Sequence, residues 1–97
     1  MIKHIVMWRL KDENKSENAL ALKQQLEALK ESVPTIRHIE VGICFLENDD
    51  AAADVVLYSE FDSMDDLRQY QAHPEHQKIV GFLNSIRTEK RVVDYEV

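Results

Sequence analysis

The sequence predicts an α+β domain of ferredoxin-like plan, β-α-β-β-α-β, with a four-stranded antiparallel sheet carrying its helices on one side. Three observations predict it. Four segments rich in β-branched and aromatic residues read as strands, and the stretches between them repeat apolar residues at helical spacing. Polar punctuation (KDENK, NDDAAAD, FDS, and a proline after each of two helices) falls where the plan needs turns. No repeat or linker interrupts the 97 residues, and that length supports one workable core, so residues 1–97 are expected to form a single domain.

Residues 2–10, IKHIVMWRL, form the first expected strand, with His4, Val6, Trp8 and Leu10 on one face and Lys3, Ile5, Met7 and Arg9 on the other. Ser16 is expected to cap a helix running to about Val33, buried through Leu22, Leu26, Leu29 and Val33 and stopped by Pro34. TIRHIEVGICFLE then alternates as a second strand, with Arg37, Ile39, Val41, Ile43 and Phe45 on one face. VVLYSEF is the third. Ser63 caps a short helix whose first turn holds Asp65 and Asp66, where carboxylates suit the helix dipole. Pro74 opens another helix, with His73 held extended before it. His76, Ile79, Phe82, Leu83 and Ile86 then share one face, and EKRVVDYEV closes the sheet as the fourth strand.

Helices cover one face of such a sheet, yet strands 1 to 3 carry apolar residues on both. A second copy packed sheet to sheet by two-fold symmetry satisfies the other face, so a homodimer is expected. Composition excludes several function classes. A net charge of −6 without clustered Lys and Arg argues against nucleic acid. Two glycines cannot build a phosphate-binding loop, which removes kinase, P-loop and Rossmann readings. No run approaches the ~18 apolar residues that span a bilayer, and MIKHIVMWRL is too short and too charged for a secretory signal. One cysteine, Cys44, cannot form an internal disulfide and fits a reducing compartment, so the expected location is cytoplasmic.

The stretch YQAHPEHQK, residues 70–78, carries the candidate chemistry. The helical register turns His76 inward, near a helix N-terminus, where a neutral imidazole can act as a general base. Tyr70 can polarise a carbonyl or stabilise an enolate, and the pair suits proton abstraction alpha to a carbonyl. The alternative is structural: His73 and His76 bond backbone at the helix junction while Tyr70 packs beneath them. The imidazoles of His4, His38, His73 and His76 raise a metal reading, but Pro74 breaks the register between the motif histidines and no carboxylate has an obvious ligand position. Neither metal nor cofactor is expected. Asp49, Asp50 and Asp54 lack the glycine and spacing of a calcium loop.

The first-strand segment KHIVMWRLK, the element order, and Y-x-x-H-P-x-H before the last helix resemble the stress-responsive A/B barrel (Dabb) family over essentially the whole chain. The resemblance implies a dimeric α+β barrel in which two four-stranded sheets face each other. It also implies a reactive pair, since a plant polyketide cyclase in the family uses a tyrosine and a histidine that match Tyr70 and His76. His4 matches a histidine lining that pocket, and His73 a motif histidine without an agreed role. The expected ligand walls are thus His4, Val6, Trp8, His73, Ile79 and Phe82, around a small, partly apolar carbonyl compound. Trp8 departs from the cyclase by filling volume there. That departure favours the competing expectation, a non-enzymatic, stress-associated interaction module with a filled interior.

Overall fold

The computed structural model describes residues 1–97. Its elements are β1 (Ile2–Leu10), α1 (Lys15–Ser32), β2 (His38–Ile43), β3 (Val55–Phe61), α2 (Met64–Ala72), α3 (Pro74–Ile86) and β4 (Arg87–Glu96). The strands form one antiparallel sheet in the order β2-β3-β1-β4, so β1 and β3 are central and β2 and β4 are edges. This is the ferredoxin-like arrangement, with the second helical segment split into α2 and α3.

Alternation along the central strands divides the sheet into two faces. Ile2, His4, Val6, Trp8 and Leu10 of β1, with Val55, Leu57, Ser59 and Phe61 of β3, are all buried on the helix side. They meet Leu22, Leu26 and Leu29 of α1 and Val33 just after it, and the 19 buried apolar residues form one continuous core. Burying each large aliphatic side chain stabilises the fold by roughly 1.5–3 kcal/mol. The opposite face has no helix. Ile5, Met7, Val56, Tyr58, Val93 and Tyr95 lie there by register, and Met7, Val56, Val93 and Tyr95 are at least a third exposed. A polar cluster interrupts this surface. Tyr58 donates to Glu60, and Lys3 lies 3.6 Å from the same carboxylate. The Tyr58 hydrogen bond is the main cause holding the Glu60 carboxyl below, and the Lys3 ammonium above, their usual ranges.

Three expected boundaries move. α1 begins at Lys15, after Asn14 in the left-handed region (φ 54°), and Ser16 lies inside the first turn instead of capping it. Asparagine adopts that conformation readily, and its carbonyl accepts from the Asn18 amide at 2.9 Å. β2 spans only His38–Ile43, because the chain before it turns to bury Ile36 while Thr35 donates to the Asp66 carbonyl. Cys44 and Phe45 have left the strand, and Phe45 is 89% exposed in a long β2–β3 loop. That loop returns along β1 through Asp54, whose carboxylate accepts from the Leu10 amide at 2.7 Å and whose amide donates to the Trp8 carbonyl at 2.8 Å. β4 begins directly after α3, without a loop, and a bulge at Arg9/Leu10 absorbs the change of direction.

Candidate functional site

The α2–α3 corner is written into its residues. The Ser63 hydroxyl accepts from the Asp66 amide at 3.1 Å and starts α2. α2 ends at Ala72, since the residue before a proline is pushed to extended backbone, and His73 is (φ −65°, ψ 136°). Pro74 takes the first position of α3, where its missing N–H costs nothing. His73 Nδ1 accepts from the Glu75 amide at 3.1 Å, so His73 is the side-chain cap of α3.

This corner brings Tyr70, at the end of α2, against His76, in the first turn of α3, with ring centroids 4.5 Å apart. His76 Nδ1 lies 3.0 Å from the Gln71 carbonyl oxygen. A carbonyl only accepts, so Nδ1 carries the proton and the lone pair of the neutral ring sits on Nε2. Burial lowers the His76 pKa from its usual value, and the nearby Lys90 ammonium pushes the same way, against the Gln71 bond. The ring therefore stays neutral at pH 7, as a general base requires. Tyr70 is fully buried, packed on Phe61 with centroids 5.1 Å apart, and no protein group lies within hydrogen-bonding reach of its hydroxyl. Burial pushes the phenol pKa well above its ordinary value, so it remains a proton donor.

A cavity of about 100 Å³ opens beside the pair. His4, Val6, Trp8, Tyr70, His76 and Ile79 line it, and Leu26, Leu57, Val80, Leu83 and Val92 complete the apolar wall. His4 is 5% exposed, stands 6.2 Å from Tyr70 ring to ring, and is tied through Nδ1 to the carboxylate of Asp94, its partner across β1 and β4. Two of the expected wall residues lie elsewhere. His73 is spent on the helix cap, and Phe82 packs half-buried against the core without reaching the cavity. Three contributors escape sequence reasoning: Asp94 and Lys90 on β4, and Gln71 through its backbone carbonyl. No three of His, Cys, Asp or Glu come together as a metal-holding group. Larger hollows lie away from the pair, the two most spacious of them on or near β2 and the β2–β3 loop. A polar one of about 440 Å³ borders the β2–β3 loop, and an apolar one of about 390 Å³ runs along the open sheet face through Met7, Phe45, Leu46 and Val56. Neither includes Tyr70 or His76, and the second belongs to the uncovered face.

Fold and site together define a ferredoxin-like α+β protein with an inward-facing Tyr-His pair at a split second helix. The family model of the stress responsive A/B barrel domain (Dabb) matches residues 2–97, and the chain belongs to that family. A stress-response A/B barrel domain-containing protein of Arabidopsis thaliana is 31% identical over 80 residues. Those residues are 82% of this chain and 30% of that protein, so the chain spans under a third of the relative's length. Among solved structures, a dimeric protein of unknown function and ferredoxin-like fold from Bacteroides fragilis superimposes with a TM-score of 0.90 at 36% identity, covering 99% of this chain and 95% of that one. The hydroxynitrile lyase of Passiflora edulis superimposes at 0.85 with 17% identity, covering 99% and 92%, a likeness of fold alone. No helix is long and apolar enough to cross a membrane.

Proposed function

We propose that residues 1–97 act as one domain that pairs into a homodimer through the open sheet face and binds a small, partly apolar carbonyl compound beside Tyr70 and His76. His76 Nε2 removes a proton alpha to the carbonyl, while the Tyr70 hydroxyl donates to the oxygen on which charge develops. One observation carries this reading: a histidine with its proton on Nδ1 and a tyrosine with an unpartnered buried hydroxyl meet in a tilted contact at the edge of a cavity with apolar walls. Dimerisation is supported by the exposed Met7, Val56, Val93 and Tyr95 on one sheet face and by the dimeric Bacteroides fragilis relative. A reducing, cytoplasmic setting suits the single free thiol of Cys44.

Deuterium exchange into small ketones tests the chemistry without knowledge of the natural substrate. Wild-type protein in heavy water is expected to accelerate exchange alpha to the carbonyl. His76→Ala should remove the acceleration, by a factor on the order of 10²–10⁴. Equal rates for wild type and His76→Ala would refute the general base. A second reading, a non-enzymatic interaction module, draws on the size of the cavity, which holds roughly three waters and is well below an ordinary ligand pocket. It predicts no exchange above the buffer rate and no ligand contact at the cavity.

A further inference from the structure

The cavity is walled by nine apolar residues and four polar ones: His4, Gln71, His76 and Lys90. Three of the four are already engaged. His4 is bound to Asp94, the Gln71 carbonyl holds His76, and His76 uses Nδ1 on that carbonyl. Lys90 makes no ion pair with any carboxylate of the chain, and its side chain donates no hydrogen bond within the protein. Its register explains why. Lys90 faces Trp8 across the sheet, on the helix side, and alternation sets Glu89 and Arg91 on the opposite face. The nearest carboxylate along its own face of β4 is Asp94, about 13 Å away at 3.3 Å per residue, and Asp94 is taken by His4. Lys90 and Val92 are both exposed on the edge strand, so the cavity opens to solvent over β4 with an uncompensated ammonium at its mouth.

We infer that Lys90 selects an anionic ligand: a small keto acid whose carbonyl enters beside Tyr70 and His76 and whose carboxylate stays at the mouth on the Lys90 ammonium. This rests on the ligand reading proposed above and names its substrate class. Size agrees with it. About 100 Å³ encloses only a small ketone fragment, so any further group of the ligand must lie toward β4, where the ammonium is. Charge agrees as well. Lys90 is close enough to His76 for its positive charge to disfavour the imidazolium. A bound carboxylate screening that charge would make His76 a stronger base when the acid arrives.

The test uses 4-oxopentanoate and its neutral amide, titrated into labelled protein and followed through the NMR signals of Ile79, Leu83 and Val92. Wild type is expected to bind the acid roughly tenfold more tightly than the amide, in line with one charge-assisted hydrogen bond. That preference should vanish in Lys90→Met, survive in Lys90→Arg, and shrink as salt screens the exposed pair. His76→Ala should retain it, which separates recognition from chemistry. Equal affinity for acid and amide, or a preference that persists in Lys90→Met, overturns the role of Lys90 and leaves the cavity reading standing. If neither probe shifts these three residues at about 50 mM, far into the weak range, the cavity reading falls and this inference with it.

Discussion

Replacing Tyr70 by phenylalanine should make the protein more stable and less active. The ring of Tyr70 is 0% exposed and packs between Phe61 and His76, contacts that phenylalanine keeps. The hydroxyl has no protein partner. A buried, unsatisfied polar group costs about 1–3 kcal/mol, and Tyr70→Phe deletes the group without orphaning another. For a domain of this size 1 kcal/mol moves the melting temperature by about 4–8 °C, so a rise of at least about 4 °C is expected. Melting should be followed at matched protein concentration, because an associating chain melts in a concentration-dependent way. Ketone exchange by the same variant should fall by about 10²–10³, the usual cost of losing one oxyanion donor. A variant that melts several degrees below wild type would show that the hydroxyl is satisfied in solution, and the argument from an unpartnered donor would fail.

Protonation of His76 supplies a second prediction. Its pKa is held below the ordinary 6.5, so between 6.5 and the folded value the unfolded chain binds more protons than the native one. Stability is thus complete above about pH 6.5 and is lost as pH falls through that window; His76→Gln should flatten this part of the wild-type profile in denaturant titrations. On the open face, Val56→Glu places a carboxylate beside Met7 and should leave an 11.3 kDa monomer in sedimentation, whereas an unchanged dimer would move the interface elsewhere. Among the caps, Ser63→Ala should cost about 1 kcal/mol, and Ser16→Ala close to nothing, since of these two serines Ser63 alone caps a helix. His73→Ala should lower the melting temperature through the lost bond to Glu75 while leaving ligand binding intact, which a shift in affinity would contradict.

What could be read from the sequence follows the range of the interaction involved. β3 is legible from end to end at Val55–Phe61, and so is the α2–α3 corner with Ser63, His73 and Pro74, because these depend on neighbours a few residues away. The inward faces of β1, α1 and α3 follow from periodicity, with Phe82 the exception at the border of its apolar stripe. β2 reads too long because alternation in TIRHIEVGICFLE continues past the last residue that β3 can pair, and Ile43↔Val55 is that pair. Ser16 misleads because Asn14 turns the chain two residues earlier through its own backbone. Asp94 and Lys90 stay hidden for another reason. Each acquires its role only through the register of β4 on β1, which joins residues some 80 to 90 apart. The signal was present in KRVVDYEV as Lys90 and Asp94 on the strand face turned toward the helices, though nothing local says which face that is.

The loopless corner at His73-Pro74 places Tyr70 and His76 only six residues apart, on two helices joined by a capped proline junction. Much of the cavity wall comes from the opposite ends of the chain, with His4, Val6 and Trp8 on β1 and Lys90 and Val92 on β4. In the proposed reading, the proton-transfer pair and the group that selects the ligand thus belong to separate parts of the sequence. Exchanges on the two strands can resize or recharge the chamber while Tyr70 and His76 remain assembled, so the scaffold can be retuned by substitutions that never touch the His73-Pro74 corner.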